Sequence, residues 1–392
     1  MRSSARRRRC TAASPRNTRW TRGGGSSPTS PRRGTAARSS CAAAATTGQG
    51  RCSARVDSDG VNPPNPPKPT HTPRSVAPTP DGRTPLTVSA TAHAKVNLHL
   101  GCGDVRPDGF HELVTVFQSL SLPTTVTLTE VLRGDASGHV AGLTVSGDSA
   151  KHVPTDESNL AWRAVIAAVE AAESKVPRVA AIHIDKSIPV AGGMAGGSAD
   201  AAAALLVARE FFELPLTDDE LLGLAADLGS DVPFCLLGGT ALGTGRGENL
   251  VPVLVRGEYH WALALAKGGL STPEVFRTID RLREEREVPR AAAPDDLIKA
   301  LASGSPDQLA AHLANDLQPA AISLKPELRT TLRAGLDGGA LAGIVSGSGP
   351  TTAFLCRDRE HALDVAAHLA TSGTCAATLT ASGPAPGARI VQ

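Results

Sequence analysis

Between Leu86 and Leu100, apolar residues occupy every even position (Leu86, Val88, Ala90, Ala92, Ala94, Val96, Leu98, Leu100) and polar ones every odd position (Thr87, Ser89, Thr91, His93, Lys95, Asn97, His99). Side chains on an extended chain alternate between two faces, so this period of two over 15 residues predicts a half-buried strand or a bent strand pair. Lys95 and Asn97 then project the same way, off the core. A turn at Arg106-Pro107-Asp108-Gly109 leads into a second strand-like run from Leu113 to Leu122.

Downstream, Glu157 to Ala172 reads as a helix capped near Ser158 or Asn159, and Val179 to Ile184 as a strand entering a glycine-rich segment at Pro189. Ala199 to Leu214 is a long Ala/Leu helix. Thr217 and Glu220 make a capping box for another helix that Gly229 closes, which puts Asp231 on the loop beyond it. After Pro252 come a strand (Trp261 to Ala266), helices near Thr272 to Arg283, near Pro306 to Leu317 and after Pro326, two apolar strands around Ser346 to Pro350, a helix from Glu360 to Leu369 and a closing strand. Strands and helices mixed in this way predict an α+β fold of two domains, 85–255 and 256–392.

Composition narrows the function. With 41% hydrophobic and 20% charged residues, 392 residues suffice for two packed domains, but a 3% aromatic share offers little for stacking nucleic-acid bases. Residues 1–55 contain 13 arginines and no acid, leaving 27 basic against 38 acidic residues elsewhere. An acidic body is a poor partner for nucleic acid. Residues 1–84, rich in Arg, Ser, Gly, Thr and Pro, cannot bury enough apolar surface to order themselves and are expected to be a disordered tail. Their composition also fits an organelle transit peptide, residues 1–20 also fit translation from a start codon assigned too early, and charge alone fits an RNA-binding arm.

Seven scattered cysteines without a CxxC pair predict neither disulfides nor zinc, and no apolar run reaches the ~18 residues of a membrane span. The expectation is a cytoplasmic protein, monomer or homodimer, that engages neither membrane nor nucleic acid.

The chemistry centres on Pro189, Ala191, Gly192, Gly193, Met194, Ala195, Gly196, Gly197 and Ser198, a glycine loop between a strand and a helix. Backbone amides there can approach phosphate oxygens, and a helix N-terminus adds partial positive charge. A tight strand-to-helix turn would need similar glycines. The loop has neither the GxxxxGK[ST] order nor an internal lysine, so it is not a P-loop, and its spacing is not that of a dinucleotide fold. Gly101-Cys102-Gly103 and Gly243 to Gly247 read as turns. Phosphoryl transfer needs a positioned nucleophile and charge neutralisation. Asp231 can take a hydroxyl proton while Lys95 stabilises the developing charge. Singly, each has an ordinary explanation as a solvated strand lysine and a turn aspartate.

Three blocks in order change that balance: Ala94 to Leu100 with Arg106 to Leu113, the glycine loop, and Ser346-Gly347-Ser348-Gly349-Pro350. Together they resemble the GHMP kinases over roughly residues 88–390. The first block resembles the branch that phosphorylates a cytidine diphosphate-linked methylerythritol in non-mevalonate isoprenoid synthesis. The resemblance implies a ribosomal-S5-like first domain, a ferredoxin-like second domain, ATP with Mg²⁺, and a site between the domains. It implies Lys95 and Asp231 as the catalytic pair, Pro189 to Ser198 as the ATP loop, Asn97 and Thr272 on the substrate side, Phe110 and Phe276 sandwiching a cytosine whose edge His111 reads, and Gly347, Ser348 and Gly349 shaping the floor. Against the family's GLGGGSSNAA this chain has GMAGGSADAA, with Ala199 and Asp200 in place of Ser and Asn, which puts a hydroxyl contact to phosphate or metal in question. Another GHMP kinase such as homoserine kinase, or an inactive GHMP-fold regulator, stays open.

Overall fold

The alternating run folds as one long strand, β1 (Thr87–Val105), antiparallel to β2 (His111–Glu130), with register shifts at His93/Lys95, Asn97/His99 and Cys102/Val105. These irregularities bend the pair without interrupting it. The computed structural model describes residues 83–132, 138–147, 150–190 and 192–391. The expected tail, up to residue 82, and Ala191 lie outside the described residues. The described residues belong to one compact unit of the chain, residues 72–392.

The chain continues through β3 (Val140–Ser146), α1 (Leu160–Ala171), β4 (Ala180–Lys186), α2 (Gly196–Phe211), α3 (Asp218–Leu228), α4 (Val232–Leu237), β5 (Thr240–Gly245) and β6 (Asn249–Pro252). Then follow β7 (Tyr259–Leu265), α5 (Thr272–Glu285), α6 (Asp295–Ser303), α7 (Pro306–Ala310), β8 (Ala314–Asn315), α8 (Gln318–Leu324) and α9 (Glu327–Asp337). β9 (Ala342–Val345), β10 (Thr352–Cys356), α10 (Arg359–Ser372), β11 (Ala377–Gly383) and β12 (Arg389–Val391) complete it. One sheet runs β12-β1-β2-β4-β3, with β5 on β2, β6 on β5 and β8 on β1; the other runs β11-β7-β10-β9. The architecture is α+β, as expected.

Local signals explain the element ends. Asn159 caps α1 by accepting from Ala161 N, Thr217 and Glu220 form the expected capping box on α3, and Gly229 closes α3. α2 is apolar on nearly every side, and Ala199, Ala201, Ala202, Ala203 and Ala204 are fully buried. Such a helix must be covered all round, and its small side chains let α1 and the large sheet approach closely. The two sheets meet where Trp261 Nε1 donates to Gln118 Oε1 at 3.1 Å. Both residues are fully buried, so the bond satisfies polar groups that have no access to water.

The structure corrects several expectations. Lys95 and Asn97 do share a face, but they are 4% and 2% exposed because other elements cover that face. α2 begins at Gly196, inside the glycine loop. The helix expected from Pro306 to Leu317 stops at Ala310, after which Ala314–Asn315 pairs in parallel with β1 and α8 begins at Gln318. Gly101 and Gly103 lie within β1, not in a turn. β3, α4, β5, β6, α6 and one of the two closing strands had no expected counterpart.

Candidate active site

β1 brings Lys95 beneath the junction of three loops. Its Nζ donates to Asn97 Oδ1 at 2.7 Å and lies 3.4 Å from Asp231 Oδ2 and 5.5 Å from the centre of the Phe117 ring. Asn97 is itself oriented: its Nδ2 donates to Thr115 Oγ1 (2.8 Å), whose hydroxyl donates to the His99 carbonyl (2.7 Å). This chain turns the Asn97 oxygen toward the ammonium. Asp231 stands at the N-cap position of α4, yet its side chain caps nothing and remains about one-third exposed. The carboxylate is therefore held by Lys95 and open to the cavity.

The glycine loop packs against Ser346 to Pro350, backbone on backbone. Ser346 Oγ donates to the Gly193 carbonyl (3.1 Å) and Thr351 N to the Gly192 carbonyl (3.2 Å). Gly193 has φ +74°, and a Cβ there would strike the Ser346 and Gly349 carbonyl oxygens. Only glycine satisfies both demands. Gly347 (φ +57°) is similarly confined by Asn97 and Lys95. Ala195, by contrast, is a non-glycine residue at φ +57°, just before α2.

The substitution at Asp200 does not face the cavity. Asp200 is 3% exposed and pairs with Lys186, whose Nζ lies 2.5 Å from Asp200 Oδ2 and donates to the Gly196 carbonyl at 2.6 Å. Thr124 Oγ1 donates to Asp200 Oδ1 at 2.7 Å. Burial pushes the Lys186 ammonium down and the Asp200 carboxyl up, and each partner's charge opposes that shift. The pair anchors the start of α2 to β4. Cys235, one turn beyond Asp231, is held as a neutral thiol by burial and then by the aspartate's charge.

A cavity of about 810 Å³ joins these parts. Its lining includes Lys95, Asn97, Asp231, Gly192, Gly193, Ala195, Gly196, Gly197, Ser198, Gly347 and Ser348 together with Phe110, His111, Thr272 and Phe276. Of the remaining expected residues, Pro189 and Gly349 lie outside the lining, and Met194 turns its side chain into the core while its carbonyl accepts from Lys95 N (3.2 Å). Thr272 and Ser348 meet hydroxyl to hydroxyl at 2.8 Å, tying α5 to the floor loop.

Other residues at the site had escaped the sequence reading. Asn315 Nδ2 donates to the Val345 and Gly347 carbonyls (2.7 and 2.8 Å), holding the floor loop. Asp316 accepts from Cys102 N (2.9 Å) and Ala291 N (2.6 Å) and pairs with Arg283 (3.1 Å), which also donates to the Cys102 carbonyl (2.9 Å). This buried junction fixes α5 over β1. Arg246 lies over the Phe110 ring at 5.2 Å, and Asp280 accepts from His111 Nε2. None of these residues sits in a recognisable motif.

Comparisons with known sequences and structures place the chain in a family. Residues 159–239 match the model described as GHMP kinases N terminal domain, and residues 297–375 that of GHMP kinases C terminal. A 4-diphosphocytidyl-2-C-methyl-D-erythritol kinase of Nocardia farcinica (strain IFM 10152) is 57% identical over 308 residues, 79% of this chain and 97% of that protein. The kinase of the same name from Mycobacterium tuberculosis (strain ATCC 25177 / H37Ra) is 52% identical over 305 residues, 78% and 93% of the two chains. A crystal structure of a 4-(cytidine 5'-diphospho)-2C-methyl-D-erythritol kinase aligns with a TM-score of 0.61 at 31% identity, over 76% of this chain and 99% of that one. With these blocks, this geometry and these relatives, the chain belongs to the GHMP kinase family of small-molecule kinases, whose phosphate donor is ATP.

Proposed function

We propose that this kinase transfers the γ-phosphate of ATP to the tertiary 2-hydroxyl of 4-diphosphocytidyl-2-C-methyl-D-erythritol, giving the 2-phosphate and ADP. The observation that carries this reading is one cavity lined both by the Lys95–Asp231 pair and the glycine loop and by Phe110, His111 and Phe276. The similarity to relatives named for that substrate supports it.

In this mechanism the glycine-loop amides and the start of α2 receive the ATP phosphates. Asp231 accepts the hydroxyl proton as oxygen attacks in line, and Lys95 stabilises the charge that develops. Phe110 and Phe276 offer aromatic faces to the cytosine. Among the described residues no cluster of three His, Cys, Asp or Glu could hold a metal. Mg²⁺ relies on nucleotide phosphates and retained waters more than on a protein cage. Ser198, on the cavity lining at the start of α2, is an oxygen donor that would help hold it, and it would neutralise phosphate charge. The domain division near residue 255, cytoplasmic residence and a monomeric or homodimeric state belong to the same proposal.

Coupled ADP release with ATP, Mg²⁺ and 4-diphosphocytidyl-2-C-methyl-D-erythritol, beside homoserine and mevalonate, tests it. Turnover with the cytidylylated alcohol alone is expected. Turnover with another alcohol would retain the kinase and remove the cytidine pocket.

A further inference from the structure

Phe110 and Phe276 come from distant parts of the chain, one before β2 and the other on α5, and among the described residues no ring contact joins them. A slot for a base needs a fixed width, so something must hold the two walls in register. Phe110, half exposed, is backed by Arg246, whose Nε lies 3.3 Å from Glu248 Oε1. Phe276 stacks on the His111 ring at 4.9 Å between centroids and 29° between planes. His111 immediately follows Phe110 and is itself buried.

The remaining connection is Asp280. It lies one helical turn after Phe276, on the same face of α5, and both residues line the cavity. Its two carboxylate oxygens lie 2.9 and 3.1 Å from His111 Nε2. A carboxylate is an acceptor only, so Nε2 carries the proton and the ring is held with its face on Phe276. We propose that Asp280 is a positioning residue for the cytosine slot: by holding His111 it fixes the Phe276 wall relative to the Phe110 wall and so sets affinity for the nucleotidyl end of the substrate.

This inference rests on the base-slot reading above, and the experiment separates the two. Full-length Asp280→Ala, Asp280→Asn, His111→Ala and the Asp280→Ala/His111→Ala double variant are compared for kcat and for KM toward each substrate. Asp280→Ala is expected to raise KM for the cytidylylated alcohol on the order of 10-fold, with a much smaller change in KM for ATP. Asp280→Asn keeps an acceptor for Nε2–H and is expected to recover most of that loss. The double variant is expected to be no worse than His111→Ala alone, because coupled residues do not lose their contribution twice.

If His111→Ala leaves that KM unchanged, the base-slot reading falls and takes the inference with it. If His111→Ala raises it while Asp280→Ala does not, the slot stands and Asp280 is not its positioning residue. Equal increases in both KM values with a lowered melting temperature, or strictly additive losses in the double variant, would mark a general structural clip and also overturn the proposal.

Discussion

Replacing Lys186 by Met tests the account of the glycine loop. Both side chains of the Lys186–Asp200 pair are almost fully buried, at 1% and 4% exposure, and Lys186 also donates to the Gly196 carbonyl. Met retains the apolar stem and removes the ammonium. Asp200 would keep a single donor, the Thr124 hydroxyl, so an uncompensated carboxylate would stay buried. Removing one partner of such a pair costs about 3–5 kcal/mol, whereas replacing both with apolar groups of similar volume is neutral or even stabilising. Lys186→Met is therefore expected to lose about 3–5 kcal/mol, and Lys186→Met/Asp200→Leu to return to within about 1 kcal/mol of the parent. Urea unfolding followed by tryptophan emission measures this, since Trp261 is fully buried. An unchanged slope of free energy against urea licenses the comparison. The single variant should also raise KM for ATP, because the carbonyl it releases belongs to the first residue of α2. A single variant within about 1 kcal/mol of the parent, or a double variant as unstable as the single, would refute the reasoning.

Asp231→Asn is expected to fold normally and lose on the order of 10²- to 10⁴-fold in turnover, and near-parent turnover would remove Asp231 from proton transfer. In the glycine loop, Gly193→Ala would drive a Cβ into the Ser346 and Gly349 carbonyls at φ +74° and should cost about 1–3 kcal/mol, whereas Ala195→Gly relieves a left-handed alanine and should gain about 1 kcal/mol. Thermal unfolding of both variants would expose an error if the signs were equal. Burial raises the Cys102 and Cys356 thiols from 9.0 to about 11. Their stabilising contribution is fully present below pH 9 and is lost as pH rises from about 9 to 11, because the unfolded chain releases those protons first; the slope is at most about 1.4 kcal/mol per pH unit per thiol. Urea midpoints across that range should fall less steeply in Cys356→Ala, and an identical slope would contradict the assignment.

Much of the fold was legible because its signals are local. The β1 alternation, a cap at Ser158 or Asn159, of which Asn159 serves, and the capping box at Thr217 each depend on neighbouring residues and appear where the sequence predicts, and the glycine loop does lead into α2, although the helix begins inside it. The reading failed where a local pattern was overridden. Asn315 and the short β8 interrupt an apparently continuous helix because β1 pairs with that backbone and the floor loop accepts from the Asn315 side chain. β5 and β6 were missed because Gly243 to Gly247 looks like a turn, although only Arg246 to Glu248 forms one.

At the site, the sequence by itself determined which chemistry was available: a lysine and an asparagine two apart on a strand, an aspartate after a helix, and a glycine loop of a shape phosphates can enter. Tertiary structure alone decided that Lys95 and Asn97 are buried, that Asp200 faces inward to Lys186, and that His111 is held by Asp280, 169 residues away. The reason is physical. Alternation and capping are set by bond geometry within a few residues, whereas burial and pairing of charges depend on which distant surfaces exclude water together.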